Sequence, residues 1–297
     1  MSKSLALPAT FPVTAHTDFI GPGSTFVAIR GYTQSGTRYI LRAIEKGAVS
    51  IVVDKKDAID GELFELMSRK NVVLHKTDNP RRALAELSAQ AAGHPARKLS
   101  LIGVTGTKGK TTTCALLHHL LKQKYKTALI STVGNKIENT HFKTALTTPQ
   151  PDYIHQFLKL CVEQSVTHVV MEVAAQALTL HRVDGIMFDS VVLTNIAQEH
   201  LEFYTSMNDY IAAKMQLLNL RKENASAWVN ADDRVFSKVN EQNTKFFSCQ
   251  NSRADICVKS LDSQEGIHAQ VLTKTEYFTI ECPQINGIYN CQNIAAA

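Results

Sequence analysis

The run Gly106-Thr-Lys-Gly-Lys-Thr-Thr-Thr113 holds the residue types that bind a phosphate. Its glycines let the backbone turn tightly enough for N–H groups to point at phosphate oxygens. It lies between an apolar strand, Leu99 to Val104, and a predicted helix from Lys110 to Lys122. A helix N-terminus adds partial positive charge, Lys110 reaches the β and γ phosphates of a nucleotide, and the Thr111 hydroxyl suits Mg²⁺. The general phosphate-loop pattern has a glycine five residues before Gly109, where Val104 stands, so the run reads as a subclass of that pattern. The alternative is a Gly/Thr-rich turn with no ligand. Glu172 is a second candidate. It ends an apolar strand, Thr167 to Val173, where a carboxylate buried without a partner would be costly, so it reads as a Mg²⁺ ligand or as an exposed strand-end acid.

Positioning these groups takes alternating strands and helices. In the N-terminal stretch, Thr25 to Ile29, Val49 to Val53 and Asn71 to His75 read as strands. Tyr39 to Lys46 and Pro80 to Ala92 read as helices, and Gly93-His-Pro-Ala-Arg as a linker. The following stretch alternates more clearly. Strands are expected at Leu99 to Val104, Thr127 to Ser131, Thr167 to Val173, Asp189 to Thr194 and Ser226 to Asn230. Helices are expected at Lys110 to Lys122, Asp152 to Gln164 and Met207 to Leu220, and short β segments fill Lys245 to Cys282. The expected fold is α/β: a small α/β domain over residues 1–95, then a phosphate-loop domain over 96–297 with a mostly parallel sheet and added short β segments. In such sheets ligands sit at the C-terminal ends of the strands.

Composition narrows the function classes. Hydrophobic residues make up 44% and charged residues 20%, an ordinary balance for a soluble globular chain. No apolar run approaches the ~20 residues of a membrane span, and the apolar stretch at the N-terminus is too short for a signal peptide, so a cytoplasmic location is expected. The net charge of +5 is spread along the chain without a dense Lys/Arg run, which argues against nucleic acid as a partner. Six cysteines contain no C-x-x-C pair, which excludes a zinc ribbon and fits reduced thiols.

The loop G-T-K-G-K-T-T resembles the G-T-x-G-K-T-T loop of the Mur ligase family, and the resemblance continues in order along the chain. Phe26-Val-Ala-Ile-Arg-Gly and Ala43-Ile-Glu-Lys-Gly-Ala-Val-Ser are similar to the family's N-terminal, UDP-binding domain. Ser131-Thr-Val-Gly-Asn135 and Thr147-Thr-Pro149 resemble its substrate-side loops. Met171-Glu-Val, Arg182-Val, Thr194-Asn, Glu199-His-Leu and Ala213-Lys214 resemble its metal and substrate motifs, and Gly287 to Ala296 resembles its adenine-contacting segment. The resemblance is strongest to members that add the third residue of the peptidoglycan peptide stem.

The resemblance implies an ATP-dependent ligase. The D-Glu carboxylate of UDP-N-acetylmuramoyl-L-alanyl-D-glutamate attacks the γ-phosphate of ATP and becomes an acyl phosphate. The amine of diaminopimelate or lysine then displaces phosphate to give the amide. The catalytic set implied is Lys110, Glu172, His200 and Lys214. ATP would be held by Gly106, Thr107, Lys108, Gly109, Lys110, Thr111, Thr112, Asn290 and Asn293, and Mg²⁺ by Thr111, Glu172, His200 and a carbamylated Lys214. Thr17, Asn135, Thr147, Thr148 and Arg182 would face the UDP-linked peptide, Arg182 as a bidentate carboxylate clamp. Unaided, His200 is a surface loop histidine and Lys214 a solvated helix lysine. Asn135, Thr147 and Thr148 are turn residues, and Asn290 and Asn293 cap a helix starting at Ile294. A monomer is expected.

Departures fall on the peptide side. The family's Asp-Ser-Arg is His16-Thr17-Asp18 here, so the arginine is absent. Its Ser-Ser-His after the metal glutamate is Ala174-Ala175-Gln176, and its Arg-Asp before the histidine is Gln198-Glu199. The family's third, amine-receiving domain has no counterpart within these 297 residues, so the chain is expected to be a fragment or a shortened relative. The alternative function is a module that binds ATP and a UDP-sugar peptide without ligation.

Overall fold

The computed structural model describes residues 5–31, 34–199, 203–262 and 266–297. In chain order the elements are β1 (Val13–Thr14), β2 (Thr25–Val27), α1 (Ile40–Glu45), β3 (Ser50–Asp54), α2 (Gly61–Arg69), β4 (Val73–Thr77) and α3 (Pro80–Ala91). There follow β5 (Ser100–Thr105), α4 (Lys110–Lys122), β6 (Thr127–Ile130), β7 (Asn135–Ile137), β8 (Thr140–Phe142), α5 (Pro151–Glu163), β9 (His168–Glu172), α6 (Ala175–Thr179) and β10 (Phe188–Leu193). The chain continues with α7 (Met207–Met215), β11 (Arg221–Asn230), β12 (Thr244–Ser248), β13 (Ile256–Asp262), β14 (Ile267–Thr273), β15 (Tyr277–Cys282) and α8 (Asn290–Ala296). Two compact units are formed, and no single cut separates them. The first holds Met1–Lys98, Pro149–Gln164 and Leu180–Ile186, and the second holds Leu99–Thr148, Ser165–Thr179 and Met187–Ala297.

In the first unit β1, β2, β3 and β4 form a parallel sheet in that order. Side chains alternate across a strand, and both faces are buried. Phe26, Ala28, Ile51 and Val53 pack with Ile40, Ala43 and Ile44 of α1 and Met67 of α2. Val13, Val27 and Val52 pack with Leu84 of α3. The α2 helix was not expected, although its signals are present: Asp60 caps it by accepting from Glu62 N at 3.2 Å, and Leu63 and Met67 lie four residues apart on one face. α3 opens with Pro80 at its first position, and Asn79 Oδ1 accepts from Arg81 N and Arg82 N, both at 3.1 Å. α5 packs on α3, and its buried Asp152 accepts from Thr14 Oγ1 at 2.7 Å and from Ala15 N at 3.3 Å.

The second unit is built on an eleven-stranded sheet in the order β15-β14-β13-β12-β11-β10-β5-β9-β6-β7-β8. The stretch from β13 to β6 is parallel, the β7–β8 hairpin extends one edge and β14–β15 the other, both antiparallel. Val104, Val170 and Val192 of three neighbouring strands bury one face against Cys114 and Leu117 of α4 and Cys291 and Ala295 of α8. Register then decides where the chemistry sits. Val104 pairs with Glu172, Thr105 with Leu193, and Ile130 with Met171, so β5, β6, β9 and β10 end along one edge.

The strand expected at Ser226 to Asn230 begins already at Arg221. The helix expected at Met207 to Leu220 tightens to a 3₁₀ turn over Gln216–Leu220, and α8 begins at Asn290 rather than at Ile294. All six cysteines are free thiols. Among the described residues no helix is long and apolar enough to cross a membrane.

Candidate functional site

The phosphate loop joins β5 to α4 and needs its glycines for space as well as for backbone angle. Gly106 has φ +151°, and a Cβ there would lie 1.9 Å from Thr194 Oγ1. Gly109 has φ +82°, and its Cβ would lie 2.1 Å from Asn293 Oδ1. Gly109 precedes the first helical residue of α4 and, as a glycine, brings no side chain to cap it. The N–H groups of the first turn therefore keep their donors for an anion, aided by the helix dipole.

The segment after β10 braces the loop. Thr107 N donates to Asn195 O at 2.8 Å and Lys108 N to Asn195 Oδ1 at 2.9 Å. Thr194 Oγ1 and Asn195 Nδ2 donate to Lys108 O at 2.8 and 2.9 Å. The amides of Thr107 and Lys108 are thus engaged within the protein. Asn230, at the end of β11, supports this segment by donating to Thr194 O at 2.7 Å.

Glu172 is 2% exposed and well partnered. It accepts from Thr111 Oγ1 at 3.0 Å, Ser131 Oγ at 2.8 Å, Thr132 N at 3.0 Å and Thr132 Oγ1 at 3.1 Å. Thr132 Oγ1 also shares a hydrogen bond of 2.9 Å with Thr147 Oγ1. Thr148, fully buried, donates to Glu172 O at 2.8 Å and accepts from Ala174 N at 3.0 Å, so it shapes the chain around Glu172. Asn135, equally buried, accepts from Ser131 N at 3.3 Å and closes the Ser131–Gly134 turn.

Two lysines face this carboxylate end. Lys110 Nζ donates to Thr107 O at 2.9 Å; burial lowers its pKa, against the pull of Glu172 and Glu199. Lys214 is 2% exposed, donates to Gly106 O at 2.6 Å, and sits 4.4 Å from the centroid of the Tyr210 ring. Burial, then repulsion from Lys110, lowers its pKa to about 7, with Glu199 opposing.

Lys110, Thr111, Thr132, Thr147, Glu172, Glu199, Tyr210 and Lys214 line one cavity of roughly 340 Å³, together with Thr107, Tyr204 and the Ala174-Ala175-Gln176 segment. Beside it a second cavity is lined by Lys108, Gly109, Asn195, Ala197, Tyr289, Gln292 and Asn293. Asn293 lies inside α8, not at its start, and donates to Asn290 Oδ1 at 2.6 Å; Asn290 donates to Asn286 O at 2.8 Å. Thr112 is half-buried in α4's first turn.

Thr17 and Arg182 belong to the first unit, both largely buried, and Thr17 O accepts from Lys46 Nζ at 2.9 Å. His200 lies outside the described residues. The sequence reading assigned no role to Tyr210, Ser131, Thr132 or Asn195, whose contacts join positions 40 to 103 residues apart. Only the family-like runs Ser131-Thr-Val-Gly-Asn135 and Thr194-Asn flagged three of them.

The chain matches two family descriptions: "Mur ligase family, catalytic domain" over residues 13–92 and "Mur ligase middle domain" over residues 104–297. It is 31% identical over 275 residues to the UDP-N-acetylmuramoyl-L-alanyl-D-glutamate--2,6-diaminopimelate ligase of Caldanaerobacter subterraneus subsp. tengcongensis, covering 91% of this chain and 55% of that protein. A solved structure of a ligase of the same name superposes with a TM-score of 0.78 at 22% identity, covering 97% of this chain and 58% of that one. The MurF ligase of Thermotoga maritima in complex with ADP superposes with a TM-score of 0.63 at 24% identity, covering 99% and 62%. The chain thus spans little more than half the length of the relative it matches. The middle-domain match begins on the phosphate-loop strand and runs through Glu172, Lys214 and α8, and with that span of the site matched the chain belongs to the Mur ligase family.

Proposed function

We propose that the chain binds ATP with Mg²⁺ at the phosphate loop. It would serve the ligation in which the D-Glu carboxylate of UDP-N-acetylmuramoyl-L-alanyl-D-glutamate is activated as an acyl phosphate and joined to the amine of diaminopimelate or lysine. The observation that carries this reading is the uncapped N-terminus of α4 opening beside one cavity that holds Lys110, Thr111, Glu172 and Lys214. The names of the similar ligases and the ADP complex of one fold neighbour support it.

The reaction gathers anions, so the site must supply donors and cations where negative charge moves. The first-turn N–H groups of α4 and the Lys110 ammonium are the groups that would hold the β and γ phosphates. Thr111 and Glu172 offer hard oxygen ligands within 3.0 Å of each other. Among the described residues no group of three or more His, Cys, Asp or Glu side chains forms a closed metal cage. The Thr111 and Glu172 oxygens are hard donors of the kind Mg²⁺ takes, alongside waters and phosphate oxygens. Mg²⁺ would neutralise charge on the transferring phosphoryl group. Lys214, with its pKa lowered to about 7, has a large neutral fraction near neutral pH, the form that can take up CO₂ as a carbamate.

Calorimetric titration of ATP with Mg²⁺ tests the nucleotide half. Lys110→Ala should weaken ATP at least about tenfold, the loss of a charge-assisted hydrogen bond, with the circular dichroism unchanged. Incubation with UDP-N-acetylmuramoyl-L-alanyl-D-glutamate, ATP and either amine tests the other half. Amide and ADP are expected. ATP binding without amide favours the binding module, and no ATP binding defeats both readings.

A further inference from the structure

We infer that Tyr210 is a positioning residue of the phosphate loop: its hydroxyl holds Thr107 and its ring face holds the Lys214 side chain against Gly106. Tyr210 is 1% exposed and sits four residues before Lys214, so both project from one face of α7. Its hydroxyl shares a hydrogen bond of 3.1 Å with Thr107 Oγ1. That oxygen also accepts from Ala197 N at 2.9 Å and lies 3.2 Å from Ala197 O. Four residues further along α7, Lys214 Nζ lies 4.4 Å from the ring centroid of Tyr210 and donates to Gly106 O at 2.6 Å. Consecutive loop residues are therefore fixed by two side chains one helical turn apart.

The packing of the ring shows why a tyrosine stands here. Tyr204 lies against it with ring centroids 5.2 Å apart, and Ala175 and Ala213 complete the same apolar cluster. The ring is thus clamped, and its buried hydroxyl reaches a polar partner, as a buried phenol requires. A phenylalanine would keep the clamp and the cation–π face but leave Thr107 without its partner on α7. The segment after β10 braces the loop from one side, and Tyr210 and Lys214 brace it from α7. The consequence for ligand binding rests on the nucleotide reading above; the geometry does not.

Hydrogen exchange of the unliganded protein, read on peptides covering residues 105–110, together with ATP and AMP titrations, tests the role in Tyr210→Phe. Loop exchange about fivefold faster, with the β9 and β10 peptides unchanged, is the size expected for losing one buried hydrogen bond. The ATP dissociation constant should rise about fivefold while that of AMP, which lacks the β and γ phosphates, stays level. Wild-type loop exchange in Tyr210→Phe, or equal weakening of ATP and AMP, overturns the proposal. If the unmutated protein binds no ATP, the nucleotide reading falls, and the exchange of the loop peptides alone decides on Tyr210.

Discussion

The first unit buries the imidazole of His155 and the second buries the amine of Lys214, and the two are treated differently. His155, on α5, is fully buried, and among the described residues neither ring nitrogen has a side-chain hydrogen-bond partner. Burial lowers its pKa to about 4, a hydrogen bond with the Asp184 backbone opposes that fall, and His94 adds repulsion. Lys214 is as deeply buried but has a carbonyl at 2.6 Å, an aromatic face and a carboxylate in its field. A buried basic group without side-chain partners serves packing and is a liability in acid. One surrounded by partners is held in a fixed place, at some cost in stability.

The largest effect expected from this contrast is acid sensitivity seated in the first unit. The native His155 pKa, about 4, lies below the ordinary 6.5, so the unfolded chain takes up the proton first as pH falls. Stability is full above about pH 6.5 and drains down to about pH 4, by roughly 3 kcal/mol at about 1.4 kcal/mol per pH unit. Urea midpoints measured across this range should flatten in His155→Leu, which fills similar space with no titrating group. An unchanged acid limb would mean that other groups carry it and that His155 finds a partner in solution.

The next effect has the opposite bearing on function. The native Lys214 pKa, about 7, lies below the ordinary 10.5, so stability is present above about pH 10.5 and is lost as pH falls towards 7. Lys214→Met removes that loss but also the hydrogen bond to Gly106 and the contact with the Tyr210 ring. A net gain of about 2 kcal/mol at pH 7, shrinking as pH approaches 10, is expected. A destabilised variant would show that the two contacts outweigh desolvation.

The same contrast separates what was legible in the sequence from what was not. The placement of Gly106 to Thr113 between a strand and a helix was legible, and the backbone angles and clearances at Gly106 and Gly109 leave few alternatives to glycine. Glu172 stood out because a carboxylate ending an apolar strand needs partners; in the fold it is buried, and Ser131, Thr132 and Thr111 are those partners. The alternation of strands and helices foretold the mostly parallel sheet of the second unit. Tyr210 looked like any aromatic on an amphipathic helix, because its role exists only once position 107 is folded against it. The two-residue β1 and the three-residue strands β7 and β8 are too short for periodicity to register. The attachment of α5 and Leu180–Ile186 to the first unit depends on packing of segments distant in the chain, which local patterns do not encode.

A smaller effect tests how tightly the second unit is closed around its loop. Gly109→Ala must either strain a backbone held at φ +82° or displace the Asn293 side chain, which is itself held by Asn290. A loss of about 1.5 kcal/mol in stability is expected, with ATP weakened more than AMP because the first turn of α4 shifts. Equal affinities in variant and parent would show that the Asn293 side chain moves freely.

The smallest effect asks whether the first unit's interior is as poor in partners as His155 suggests. Thr14, at the end of β1, is fully buried; its hydroxyl donates to Asp152 Oδ2 at 2.7 Å and accepts from His16 N at 3.0 Å. Asp152 stands three residues before His155 on α5, so one helix carries into the same unit an acid with a side-chain partner and a base that, among the described residues, has none. Thr14→Val keeps the shape and removes the hydroxyl, leaving Asp152 with the Ala15 and Tyr153 amides. A cost of about 1 kcal/mol is expected, read as a shift in the urea midpoint at neutral pH. A cost well above that would mark the Thr14–Asp152 bond as a main tie between β1 and α5. The contrast between the units would then narrow to the imidazole of His155 alone.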